Sequence, residues 1–180
     1  MKNLINRIMI LIILLTVSSN LIAQNYDNLN ADDQIKNTSI DQFIGKWKYS
    51  GNDFELILNL SKENIPIGSV KTDGIIGFHE LKKKNQIISK SERPIEQNEL
   101  LQNATFFTRG HTSETNKIEG YFILDKNSTK YRVQAIISNS KDELLLSLSP
   151  AKQEGIIVNK KETKNTFNLP KELKFKKVTQ

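Results

Sequence analysis

The chain has 180 residues, with 26 Lys and Arg against 20 Asp and Glu, two His and no Cys. That length suits one domain, and a content of 37% hydrophobic and 26% charged residues excludes a polytopic membrane protein as well as a wholly disordered chain. Without cysteine there is no disulfide framework, no thiolate metal site, no cysteine nucleophile and no lipid-bearing cysteine.

Residues 1–23 have the three parts of a secretory signal: Lys2 and Arg7 in front, the apolar run Ile8 to Val17, then small or polar residues up to Ala23. The run is about half of the ~20 residues that a spanning helix needs. Cleavage is therefore expected after Ala23, giving a periplasmic or extracellular protein with no integral membrane segment. Removal of Lys2 and Arg7 leaves 24 basic and 20 acidic residues, a net charge of +4 in place of +6.

The remaining basic residues gather at Lys82 to Lys84, at Lys160, Lys161 and Lys164, and at Lys171, Lys174, Lys176 and Lys177. Only three Arg follow the signal, namely Arg93, Arg109 and Arg132. A phosphate-reading surface interleaves Arg with aromatic residues, so the Lys runs read as solvated turns and edges and no nucleic-acid partner is expected.

Residues 24–40 are polar, rich in Asn and Asp, and read as a flexible leader to a domain spanning 41–180. Ile44 to Ser50 and Asp53 to Ser61 flank hairpin turn chemistry at Ser50 to Asp53. Phe54, Leu56, Leu58 and Leu60 alternate with mostly polar neighbours, the period of a half-buried strand. Gly74 to Leu81 and Gln86 to Ser91 form a second pair across the Lys-rich turn 82–85.

From Arg93 to Glu114 the pattern is mixed, with helical character over Pro94 to Leu101 and a strand at Ala104 to Thr108. Strands follow at Ile118 to Asp125, Thr129 to Ser138 and Glu143 to Ser149, the last ended by Pro150, which cannot donate to a ladder. Weaker ones are expected at Gly155 to Asn159 and Leu173 to Val178. Many short strands linked by turns predict an all-β fold, a single antiparallel β-barrel, with a sandwich as the second choice.

Gly45-Lys46-Trp47 at the head of the first strand, followed by an antiparallel meander, resembles the Gly-x-Trp opening of lipocalins and lipocalin-like proteins. The resemblance implies that Trp47 packs across the closed end of a barrel under a basic residue from the last strand, for which Lys174 and Lys176 are the candidates. It also implies a cup for a small apolar ligand. The longer segments GIIGFHELKKKNQIISKS (74–91) and LPKELKFKKV (169–178) are similar to a family of small exported bacterial proteins of unknown function.

No catalytic constellation is legible. The pairs His79–Glu80 and His111–Glu114 are the His/carboxylate neighbours, yet adjacent strand residues point to opposite faces, so His79 and Glu80 do not bind one ion from regular strand geometry, while His111 and Glu114 lie in a polar loop, and a site needs several converging ligands. A Gly-x-Ser-x-Gly elbow, a His-Glu-x-x-His helix and a Gly-rich phosphate loop are all missing from the sequence. No cofactor, metal or enzymatic activity is expected. The inward parity of the middle strands nominates Phe122, Leu124, Tyr131, Val133, Leu144 and Leu146 to line a cup for a small apolar ligand. Aromatic residues, Trp47 first, more often fill such a barrel, and a filled barrel would act through its outer surface on envelope proteins or polysaccharide.

Overall fold

A computed structural model describes residues 33–108, 114–124, 130–151 and 169–178. Ten strands form one sheet: β1 (Gln34–Ile35), β2 (Gly45–Ser50), β3 (Glu55–Ile67), β4 (Val70–Lys83), β5 (Gln86–Lys90), β6 (Phe106–Thr108), β7 (Lys117–Phe122), β8 (Tyr131–Ile137), β9 (Glu143–Pro150) and β10 (Glu172–Lys177). Eight of them close on themselves in the order β2-β3-β4-β6-β7-β8-β9-β10, all pairs antiparallel, with β10 bonded back to β2. The fold is thus the antiparallel barrel that the alternation predicts. Closure removes the sheet edges that an open sandwich would leave.

Alternation sets the inside. Leu56, Leu58 and Leu60 of β3, Val133, Ala135 and Ile137 of β8, Leu144, Leu146 and Leu148 of β9, and Leu173 and Phe175 of β10 are buried in one continuous cluster with Trp47, Phe106 and Phe122. Gly77 permits this closeness: a Cβ there would lie 2.5 Å from Leu60 and 2.8 Å from Phe106.

β3 and β4 run several residues longer than the apolar alternation marks, since the two-residue turn Gly68-Ser69 joins Ile67 to Val70. Gly68 supplies the positive φ of 61° that this turn needs. The extra length gives β4 three successive neighbours on the side away from β3. β1 takes Lys71 and Thr72, β6 takes Ile75 to Gly77, and β5 takes Glu80 to Lys83.

Residues 33–43 close one end of the barrel. A 3-10 turn over Thr38–Phe43, capped by the Asn37 side chain on Ser39 N–H, buries Ile40 and Phe43. The segment is tied down at Asp73, whose carboxylate accepts from Gln34 Nε2 (3.0 Å), from Asn37 N–H (2.9 Å) and from Lys62 Nζ (2.9 Å). Lys62 also reaches Asp41 at 2.8 Å. Burial alone would raise the Asp73 carboxyl, but those donors outweigh it and hold it below its ordinary value of 3.8. On the outer face of β4, Ile65, Ile76, Phe78 and Leu100 form a second, smaller cluster beneath the short helix α1 (Leu100–Asn103).

Candidate functional site

The Gly-x-Trp strand carries the closed end. Trp47 is fully buried and its indole N–H donates to Phe43 O at 2.8 Å, which satisfies the one polar atom of the ring. Across the sheet Trp47 pairs with Lys177, whose Nζ lies 5.1 Å from the ring centroid. The basic residue over the indole is therefore Lys177, and not Lys174 or Lys176. Parity explains it: Leu173 and Phe175 face inward, so 177 is the next inward position and 174 and 176 are exposed.

All six residues nominated for a cup, Phe122, Leu124, Tyr131, Val133, Leu144 and Leu146, sit on the inner face and belong to the same buried cluster. They share that cluster with Trp47, Phe106 and Phe175, side chains of the barrel itself. Leu124 has a second environment. It lines a cleft of about 490 Å³ where β4 exchanges β6 for β5 as its neighbour.

The cleft has two kinds of wall. Leu101, Ala104, Ile123 and Leu124 supply apolar surface, and Ser89, Ser91 and Thr105 supply hydroxyls. Behind the hydroxyls stands His79, which is 1% exposed. Its Nε2 is 2.8 Å from Ser89 Oγ, and its Nδ1 contacts Ser91 Oγ (3.0 Å) and Thr105 Oγ1 (2.5 Å). Ser91 Oγ also accepts from the His79 backbone N–H (2.9 Å) and lies 2.8 Å from Thr105 Oγ1.

A one-residue bulge creates this arrangement. Lys82 pairs with Ile87 but Leu81 pairs with Ser89, so Ile88 is the extra residue. Without it Ser89 and Ser91 would fall on the outer face of the sheet, because a slip of one residue turns every following side chain over. The bulge also leaves Ile87 and Ile88 about half exposed, at 53% and 47%.

His79 and Glu80 point apart, as strand geometry requires. Glu80 faces outward to Lys82 at 2.7 Å, and that ammonium lowers its carboxyl below the ordinary range. His111 lies outside the described residues, as does the expected strand 155–159. Among the described residues no group of three His, Asp or Glu converges on a metal position. Sequence reasoning missed Ser89, Ser91 and Thr105, since regular register would place both serines on the outer face, away from His79.

A second depression, about 340 Å³, lies on the outer face of β7 to β9 among Glu119, Arg132, Gln134, Ser147 and Ser149. Near it, Lys130 Nζ stands 3.9 Å over the half-exposed Tyr121 ring. Val133 and Leu148 complete the depression's lining between its polar side chains.

A closed eight-stranded antiparallel barrel, opened by Gly-x-Trp under a basic residue of the last strand and notched by a cleft at β5, defines a lipocalin-like β-barrel protein. Over residues 1–178 the chain matches the model of a family of unknown function, DUF6705, and it belongs to that family. No curated protein and no solved structure matches it.

Proposed function

We propose that this protein is an exported, non-enzymatic binding module that takes a small, largely apolar molecule into the cleft between β5, α1 and Leu124. The observation that carries the reading is the cleft itself. Its volume falls within the ~300–1,000 Å³ of small-molecule sites, and it joins an apolar wall to a few convergent polar groups. Burial at about 25 cal/mol per Å² makes micromolar affinity reachable without a charged contact. The signal-like residues 1–23 support export to the periplasm or beyond.

The distribution of charge favours a small ligand over a polyanion. Surface lysines are matched locally, as in Lys48–Glu55, Lys90–Glu92 and Lys174–Glu143. Among the described residues no helix is long and apolar enough to cross a membrane.

The test starts from purified exported protein. Organic extraction identifies any co-purifying lipid, and the stripped protein is then titrated with the neutral apolar fluorophore N-phenylnaphthylamine. The reading expects saturable binding at tens of micromolar or tighter, on the order of a modest apolar pocket. Absence of both a co-purified molecule and saturable fluorescence would overturn it. A second reading, a filled barrel working through its outer surface, then takes its place, favoured by the burial of Phe122, Leu144 and Leu146 in one cluster with Trp47.

A further inference from the structure

Two lysines escape the local charge matching of the surface. Around the β4–β5 hairpin Lys82 is bonded to Glu80, Lys90 to Glu92 and Lys48 to Glu55. Lys83 and Lys84, at the tip, are exposed, and among the described residues neither has an ion pair. Register carries β3 from Glu55, opposite Lys82, back to Asp53 in the turn beside the tip, and that single exposed carboxylate does not cancel two cations. Lys84 also stands against the preference of its backbone. Its φ is 49° and that of Asn85 is 63°, the left-handed pair that an Asn-Gly turn adopts without strain. A cation kept in a strained turn with no ion pair in return points to a role in function.

The strand leaving the turn is apolar where it meets water. Ile87 stands opposite Lys82, an outward position, and Ile88 is the bulge residue, so two successive isoleucines are about half exposed just after the two lysines. Exposed apolar side chains rimmed by charge mark an interaction site. A second strand fits poorly there, because the bulge and the flanking lysines blunt the outer edge of β5. A protein groove would have to be shaped to a convex hairpin end. A bilayer surface has no such requirement: apolar side chains sink into the boundary between headgroups and acyl chains, and lysine stems lie along it with their ammonium groups on anionic headgroups.

We infer that the β4–β5 hairpin is a peripheral docking element for an anionic phospholipid surface, with Ile87 and Ile88 at the interface and Lys83 and Lys84 on the headgroups. The inference goes beyond the binding reading and does not depend on it. Ser89, next in the chain to Ile88, lines the cleft, so docking sets the rim of the cleft against the lipid. Two lysines and two half-exposed isoleucines give weak, reversible attachment, with half of the protein bound at about 1 mM lipid.

The experiment is co-sedimentation of the exported protein with vesicles of phosphatidylcholine alone, or of phosphatidylcholine and phosphatidylglycerol in equal parts. Every variant is first shown to melt cooperatively. Wild type should bind the mixed vesicles, lose that binding as salt is added, and scarcely bind phosphatidylcholine alone. Lys83→Gln combined with Lys84→Gln should weaken binding about 30-fold, at ~1 kcal/mol for each lysine near an anionic surface. Ile87→Ser combined with Ile88→Ser should weaken it at least 10-fold, on the order expected for apolar area returned to water. Ile95→Ser, at a fully exposed isoleucine outside the hairpin, is the control and should change nothing. No binding, equal binding to both kinds of vesicle, undiminished binding by either hairpin variant, or an equal loss in Ile95→Ser overturns the inference and leaves the cleft reading standing. Failure of N-phenylnaphthylamine to bind in the absence of vesicles removes the cleft reading and leaves the vesicle result intact. Sedimentation velocity without lipid tests the other occupant: a dimer that the Ile87→Ser, Ile88→Ser variant dissolves assigns the tip to a second copy of the chain and overturns the lipid surface.

Discussion

Lys177 lies over the indole of Trp47 with its Nζ 5.1 Å from the ring centroid, and its Cε sits 3.2 Å from where a Cβ on Gly45 would begin. The Gly-x-Trp motif thereby acquires a physical reason at both ends. Trp47 is the plug, Lys177 its lid, and Gly45, with φ near 131°, gives the lysine stem its passage.

Stability follows from that contact. Trp47→Ala should cost roughly 3–5 kcal/mol, the range for deleting a large aromatic from a core. Lys177→Gln should cost about 0.5–2 kcal/mol, the worth of a cation over an aromatic face. Gly45→Ala should cost roughly 1–3 kcal/mol for a side chain forced into a backbone region that favours glycine. Urea midpoints order the three. An unchanged midpoint in Trp47→Ala would contradict the plug.

Acid should release residues 33–43 before the barrel. The Asp73 carboxyl is held below 3.8, so its stabilising contribution is complete above that value and is lost as pH falls through the lower folded value. Lys62, raised above 10.5 first by its bond to Asp41 and then by Asp73, contributes below 10.5 and loses that contribution as pH climbs through its higher folded value. Amide exchange at Ser39 and Ile44 should accelerate at low pH ahead of Leu58 and Leu146. Asp73→Asn should produce the same early loss at neutral pH, with a cost on the order of 1–3 kcal/mol for the buried donors it leaves poorly matched. Simultaneous loss of protection everywhere would show that the segment is not a separate unit.

The β4–β5 hairpin carries removable strain. Lys84 and Asn85 both have positive φ, at 49° and 63°, the pattern of a turn that prefers Asn-Gly. Lys84→Gly should therefore raise the melting temperature slightly, by the equivalent of about 0.5–1 kcal/mol. A lower melting temperature would mean that the Lys84 side chain makes a contact worth more than the strain.

Processing is checked by intact mass of exported material. A chain starting at Gln24 is expected after loss of the signal, and a mass retaining residues 1–23 contradicts it.

The barrel was legible because its inner residues alternate without interruption. Leu144, Leu146 and Leu148, or Tyr131, Val133 and Ala135, fix a face by parity alone. The same parity, carried from Leu173 and Phe175 to 177, singles out Lys177 over Lys174 and Lys176. Residues 33–43 were harder to read, since Ile35, Ile40 and Phe43 are too sparse to show a period and their anchor, Asp73, is a polar residue in a buried stretch of β4. The cleft was hidden for a different reason. Counting back from the Lys84-Asn85 turn in regular register puts Ser89 and Ser91 on the outside, and only the bulge at Ile88, which no local signal announces, turns them toward His79. Polar sites built on a register shift are invisible to periodicity.

The most direct test of the binding account is a ¹H–¹⁵N titration of the protein with N-phenylnaphthylamine. The account predicts saturable shifts confined to the amides of Ser89, Ser91, Leu101, Thr105, Ile123 and Leu124, with Arg132, Gln134 and Ser147 on the outer face unmoved. Shifts centred on that outer face, or none that saturate, would contradict it.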